Sequence, residues 1–185
     1  QNILIFRFTN SIFEPVWNKK YIDHIQLTWA EKKGIGSRGK FFDGVGLLRD
    51  VAQNHLLQLI AAVAMEQPKS FSKEGVRDAR AGAIKALRCI EPKDMAKFVV
   101  RGQYNDYKGE KNVGIDSSTE TFVAMKVFVD TDRFANVPFY IRAGKKMRED
   151  IVEISIVFIQ TCHLLFREFG CPEEGNILRI RIQPD

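Results

Sequence analysis

The sequence predicts an α+β fold, a mainly antiparallel sheet with helices packed on one face. Three observations carry this. Helical periodicity is concentrated before residue 91. After Pro92, short segments of strand character follow one another, divided by loops with Gly, Asp or Pro. The regular strand–helix alternation of a parallel sheet is missing. A chain of 185 residues, 45% hydrophobic and 28% charged, fits a single domain spanning 1–185 with a sizeable core.

The elements follow in order. Residues 2–13 place Ile3, Phe6, Ile12 and Phe13 as the end of a helix that Pro15 stops. Residues 21–29, YIDHIQLTW, alternate in their middle and predict a strand. A Gly-rich loop runs through residue 46. A long helix follows over 47–65, and a second begins at Phe71 or Lys73 with apolar positions at Val76, Ala79, Ala83, Ile84, Leu87 and Ile90. Residues 98–104, 121–130, 138–142, 152–158 and 176–183 predict strands.

Composition excludes several classes. The longest apolar run, 59–65, is too short to span a bilayer, so no membrane association is expected. The start, QNILIFRFTN, shows no signal peptide, and a first residue that is Gln points to a processed chain or a fragment. Cys89, Cys162 and Cys171 have no C-x-x-C spacing, so the expectation is neither disulfides nor zinc, and a cytoplasmic location. The net charge of +5 suits an anionic partner, nucleic acid or a phosphorylated small molecule. The cations are dispersed among 23 acidic residues, whereas a nucleic-acid binder would cluster them on one face.

GIGSRG, Gly34 to Gly39, matches the dinucleotide pattern G-x-G-x-x-G and follows a strand. In that motif the glycines open a helix whose amides meet a pyrophosphate. Here the loop continues to Gly46, and Leu59 and Ile60 stand where the acidic residue belongs. A surface loop is the expectation, with Arg38 or Lys40 available to an anion.

At about 100° per residue, Leu48, Val51, Ala52, His55, Leu59, Ala62 and Val63 form one buried stripe of the long helix. His55 on that stripe has two readings. It is a core histidine satisfied by a carbonyl, or a general base, since an imidazole of ordinary pKa near ~6.5 accepts a proton near neutrality. Asp50 falls about 140° away, too far round to stack on it, but within reach of a ligand across the helix end. In PFYIRAGKKM, a strand breaks at Gly144 and presents Lys145, a compact charge for a phosphate or hydroxyl, or an exposed turn lysine.

Together these stretches resemble the glucose-6-phosphate dehydrogenases. The matching pieces are FTNSIFEPVWN, LTWAE, GSRGKFFD, GLLRDVAQNHLLQLIAAVAMEQP, GQY, STETFVA, VPFYIRAGKKM and IRIQPD, in the family's order over nearly the whole chain. The resemblance implies oxidation of glucose 6-phosphate at C1, giving the lactone, with hydride transfer to NADP or in some members NAD. It implies His55 as the base, Asp50 and Glu31 as hydrogen-bond partners of sugar hydroxyls, and Lys145 as a substrate-binding lysine. Arg142, Arg181 and Gln183 match positions that in some members line the substrate pocket or a structural NADP site. Assembly as a homodimer or homotetramer through the sheet is implied as well.

Two departures stand out. A basic residue often follows the family's R-x-G-K lysine by five positions; here that position is Asp150, with Lys146 or Arg148 expected to compensate. The family's R-I-D-H-Y-L-G-K segment, which supplies the carboxylate that orients the histidine, does not occur in this sequence, nor does a Rossmann domain. These 185 residues are therefore expected neither to bind the catalytic coenzyme nor to turn over alone. The competing classes are a non-catalytic interaction module of the same fold and a basic nucleic-acid-binding domain.

Overall fold

The computed structural model describes residues 2–160, 170 and 175–184. Helix α1 (Asn2–Thr9) opens the chain. It ends before the expected Phe13, because Thr9 Oγ1 and Asn10 Nδ2 turn back to donate to the carbonyls of Ile5 (2.7 Å) and Phe6 (2.6 Å). Strand β1 (Ile22–Ala30) follows, with Ile25 and Leu27 buried at alternate positions. The expected loop then contains a 3₁₀ turn (Gly36–Arg38) and a short helix α2 (Gly39–Phe42).

The long helix is of two kinds. Leu48–Leu56 is a π-helix, and α3 (Leu57–Ala64) continues it as α-helix. Helix α4 (Lys73–Lys85) starts at Ser72, whose Oγ accepts from the Gly75 amide at 3.1 Å. A helical turn α5 (Met95–Phe98) takes the start of the expected 98–104 strand, leaving β2 (Val99–Gly102). Strands β3 (Phe122–Phe128), β4 (Pro138–Gly144), β5 (Ile151–Phe158) and β6 (Ile177–Gln183) lie within two residues of the expected strand segments.

The six strands form one sheet in the order β2-β3-β4-β1-β5-β6. Every neighbouring pair is antiparallel except β1 and β4, which run parallel. One face carries Ile25, Leu27, Val123, Val127, Phe139, Ile141, Ile154 and Ile156 into the core with Val51, Leu56, Ile60 and Val63 of the long helix. Its polar end groups are met by buried donors. Arg7 donates to the carbonyls of Val63 (2.9 Å) and Met65 (2.6 Å), and Trp17 Nε1 donates to that of Val63 (2.9 Å). No helix among the described residues is long and apolar enough to cross a membrane.

Candidate functional site

The parallel pairing of β1 with β4 sets Ala30 opposite Gly144, so both strands end together. The next residue on each chain is charged: Glu31 and Lys145. The Glu31 amide donates to the Gly144 carbonyl at 2.9 Å, and the Met147 amide to the Glu31 carbonyl at 2.9 Å. Lys145 Nζ donates to Glu31 Oε2 at 2.5 Å, while Trp29 Nε1 donates to Oε1 at 2.9 Å. Lys145 is 3% exposed and lies 5.5 Å from the Phe42 ring centroid. It is therefore no exposed turn lysine. Burial pushes the Glu31 carboxyl up, but the hydrogen bonds from Lys145 and Trp29, with the charges of Lys145 and Arg38, outweigh it and hold Glu31 below its ordinary value.

The π-helix changes the geometry assumed for Asp50 and His55. Its turn closes i→i−5, as the Leu57 amide does on the Ala52 carbonyl. A turn then takes about 4.4 residues, roughly 82° each. The buried positions follow that period: Leu47, Val51, Ala52, Leu56 and Ile60. Leu48 and His55 are exposed, so the stripe expected from α-geometry does not hold at these two positions, whereas Leu59 is half-buried and packs against the core. His55 is not a core histidine. Its ring lies on that of Trp29, with centroids 4.8 Å and planes 13° apart. The same period reduces the angle between Asp50 and His55 from about 140° to about 50°, so both address one side of the helix. Asp50 is half-buried and pairs with Arg38 at 3.5 Å. The anion that the GIGSRG loop reaches is thus a carboxylate of this site.

Several quoted motifs converge to hold this geometry. Gly46 has φ +78°, and a side chain there would collide with the Glu120 carboxylate. Glu120 Oε1 accepts from the Leu48 amide at 2.9 Å, at the first residue of the π-helix. The Lys145 amide donates to the Thr121 carbonyl at 3.0 Å. Asp43 accepts from the Tyr107 hydroxyl (2.8 Å), the Gly114 amide (3.1 Å) and the Ser117 hydroxyl. These bonds, that from Ser117 first, hold its carboxyl below the ordinary value.

The departure at Asp150 has a structural answer. Its Oδ1 accepts from the Lys32 amide at 2.8 Å, clasping the loop that follows Glu31. Lys146 lies 3.6 Å from Glu110 and 4.6 Å from the Tyr104 ring centroid, and Tyr104 donates to Glu110 Oε1 at 3.0 Å. Burial and Glu110 push the Tyr104 hydroxyl up to about 12. Arg148 is exposed.

The remaining three expected residues are not brought to the Glu31–Lys145 pair. Arg142, Thr28, Glu153 and Arg181 form one cross-strand row on the sheet face opposite the helices. Arg142 Nε donates to Thr28 Oγ1 at 3.0 Å, and Arg181 donates to Glu153 Oε2 at 3.2 Å. Gln183 lies exposed at the end of β6. Trp29 was not among the expected site residues, although an aromatic two positions before Glu31 in LTWAE was available as a signal. Among the described residues no cluster of three or more His, Cys, Asp or Glu could hold a metal ion. GIGSRG offers no pyrophosphate cradle: Gly39 packs against the Lys111 carbonyl, and α2 has only four residues.

Comparison with known proteins adds a family. The family model described as "Glucose-6-phosphate dehydrogenase, C-terminal domain" matches residues 4–185. A glucose-6-phosphate 1-dehydrogenase of Chlamydia pneumoniae is 43% identical over 100% of this chain and 38% of its own length. Glucose-6-phosphate 1-dehydrogenase 2 of Mycobacterium tuberculosis strain H37Rv is 45% identical over 100% and 38%. The crystal structure of the Mycobacterium avium enzyme superposes with a TM-score of 0.92 at 38% identity, covering 99% of this chain and 39% of that one. A glucose-6-phosphate dehydrogenase in complex with glucose 6-phosphate gives 0.88 at 37%, covering 99% and 38%. The chain spans about two-fifths of the length of these curated relatives.

Proposed function

The chain belongs to the glucose-6-phosphate dehydrogenase family, matching its C-terminal domain, and from that premise we propose that it supplies the sugar-phosphate half of a dehydrogenase acting on glucose 6-phosphate. The observation that carries this reading is the group formed by Glu31, Lys145, Asp50 and His55 at one end of the parallel strand pair.

Each residue has a task that its surroundings support. Asp50 and Glu31 accept hydrogen bonds from sugar hydroxyls. Lys145 Nζ, nearly sealed from water on Glu31, reaches a substrate oxygen through a shift of its side chain when substrate binds. His55, exposed and stacked on Trp29, takes the proton of the C1 hydroxyl while the C1 hydrogen departs with its electron pair, leaving the lactone carbonyl. Fixed contacts on several hydroxyls hold C1 in a reactive geometry. NADP, when bound, supplies the two-electron acceptor. The catalytic coenzyme site is proposed to lie outside these 185 residues, which alone are proposed to be inactive. Arg142 and Arg181, on the exposed sheet face, are the residues that would meet a second, structural NADP. That same face is proposed as the surface of a homodimer or homotetramer.

The test is a substrate panel on the intact protein that carries this chain. Coenzyme reduction with glucose 6-phosphate, but not with unphosphorylated glucose at equal concentration, is expected. Equal rates with both, or none with either, would overturn the reading. In the latter case the interaction-module alternative takes its place.

A further inference from the structure

Trp29 touches both halves of the site. Its indole lies flat against the His55 ring, and its Nε1–H donates to Glu31 Oε1 at 2.9 Å. Resting on the reading of His55 as proton acceptor, we propose that Trp29 is a positioning residue: its stack sets the plane of the imidazole and its N–H fixes Glu31.

His55 depends on its neighbours for its orientation. The residue is exposed on a π-helix, and among the described residues no hydrogen bond reaches either ring nitrogen. An imidazole so placed is free to change rotamer and sweep its reactive nitrogen away from a bound hydroxyl. The indole face removes that freedom on one side and leaves the other side open. A stacked aromatic pair of this separation is also favoured beyond area burial. Trp29 is itself fixed, paired across to Ala143 on β4 and Val152 on β5 and packed against the core.

The second contact divides the Glu31 carboxylate. Oε1 takes the indole N–H and Oε2 takes Lys145. Each oxygen keeps a lone pair, so the group can accept from a sugar hydroxyl without releasing either donor. The two contacts use different parts of one side chain, so substitution separates them. Phenylalanine keeps a flat ring beneath His55 and removes the donor to Glu31. Leucine removes both.

The experiment measures steady-state kinetics of the intact protein with glucose 6-phosphate for Trp29→Phe and Trp29→Leu, each also combined with His55→Asn. For Trp29→Phe, KM is expected to rise about fivefold with kcat within about twofold, since only a ground-state contact is lost. For Trp29→Leu, KM is expected to rise equally and kcat to fall about tenfold. In the His55→Asn background, Trp29→Leu is expected to lower kcat no further, because the stack acts through the imidazole. Unchanged kcat in Trp29→Leu, or an equal fall with and without His55, would overturn the stacking role. An unchanged KM in Trp29→Phe would overturn the Glu31 role, and that variant still decides it if Trp29→Leu does not fold. A wild-type rate in His55→Asn alone would instead overturn the underlying reading of His55.

Discussion

Lys145 Nζ lies 2.5 Å from Glu31 Oε2, joining residues 114 positions apart at the matched ends of two parallel strands. Lys145 is nearly sealed from water, whereas the Glu31 side chain keeps 31% of its surface. The pair is therefore asymmetric: the lysine needs the carboxylate more than the reverse. Removing Glu31 strands a buried cation, while removing Lys145 leaves a carboxylate that water still reaches. Glu31→Ala is expected to destabilise the fold by about 3 kcal/mol and Lys145→Met by about 1 kcal/mol. Urea unfolding of both variants measures the difference, and equal losses would contradict the asymmetry.

The same pair predicts an acid dependence. The Glu31 carboxyl is held below its ordinary value of 4.5 in the folded state. A group depressed on folding binds its proton more readily in the unfolded chain. Its contribution is then fully present above the ordinary value and is lost as pH falls through the folded value. Asp43 and Asp130 are depressed too, so acid weakens the fold even without Glu31. The stability difference between the unsubstituted protein and Glu31→Gln is therefore expected to shrink between about pH 5 and pH 3. Melting temperatures across that range give the measurement.

The start of the π-helix makes a local prediction. Glu120 Oε1 is the acceptor for the Leu48 amide, whose position in the first turn leaves it without a helical partner. Glu120→Ala is expected to lower stability by about 1 kcal/mol and to raise hydrogen exchange at Leu48 selectively. Exchange measured by NMR distinguishes this from a global loss.

Much of this arrangement was legible in the sequence, and the misses have physical reasons. Strands β3 to β6 lie within about two residues of the alternating segments, because burial of one face writes a period of two directly into the chain. The parallel pairing of β1 with β4 is written in no local period, since helices α2 to α5 and strands β2 and β3 lie between them. The stripe through Leu48 and His55 failed because it assumed α-geometry, and a π-helix moves each successive side chain by a smaller angle. That same change is what turns Asp50 and His55 to one side. The stack of Trp29 on His55 joins a strand to a helix and is visible only once both are placed.

Arg38 and Asp50 give a contrast between stability and function. Their contact is 3.5 Å, with the Arg38 side chain 48% exposed. Solvent screens such a pair, so Arg38→Ala is expected to change stability by less than about 0.5 kcal/mol. Asp50→Ala, which removes a proposed sugar contact, is expected to raise KM for glucose 6-phosphate about tenfold at similar stability.

His55, exposed and stacked on Trp29, is proposed to take the C1 proton. The most direct measurement is kcat for glucose 6-phosphate oxidation by the intact protein carrying His55→Asn. A fall of at least about 100-fold is expected, with KM within about threefold and a melting temperature lowered only slightly, by loss of the exposed stack on Trp29. A variant that keeps its rate would contradict it.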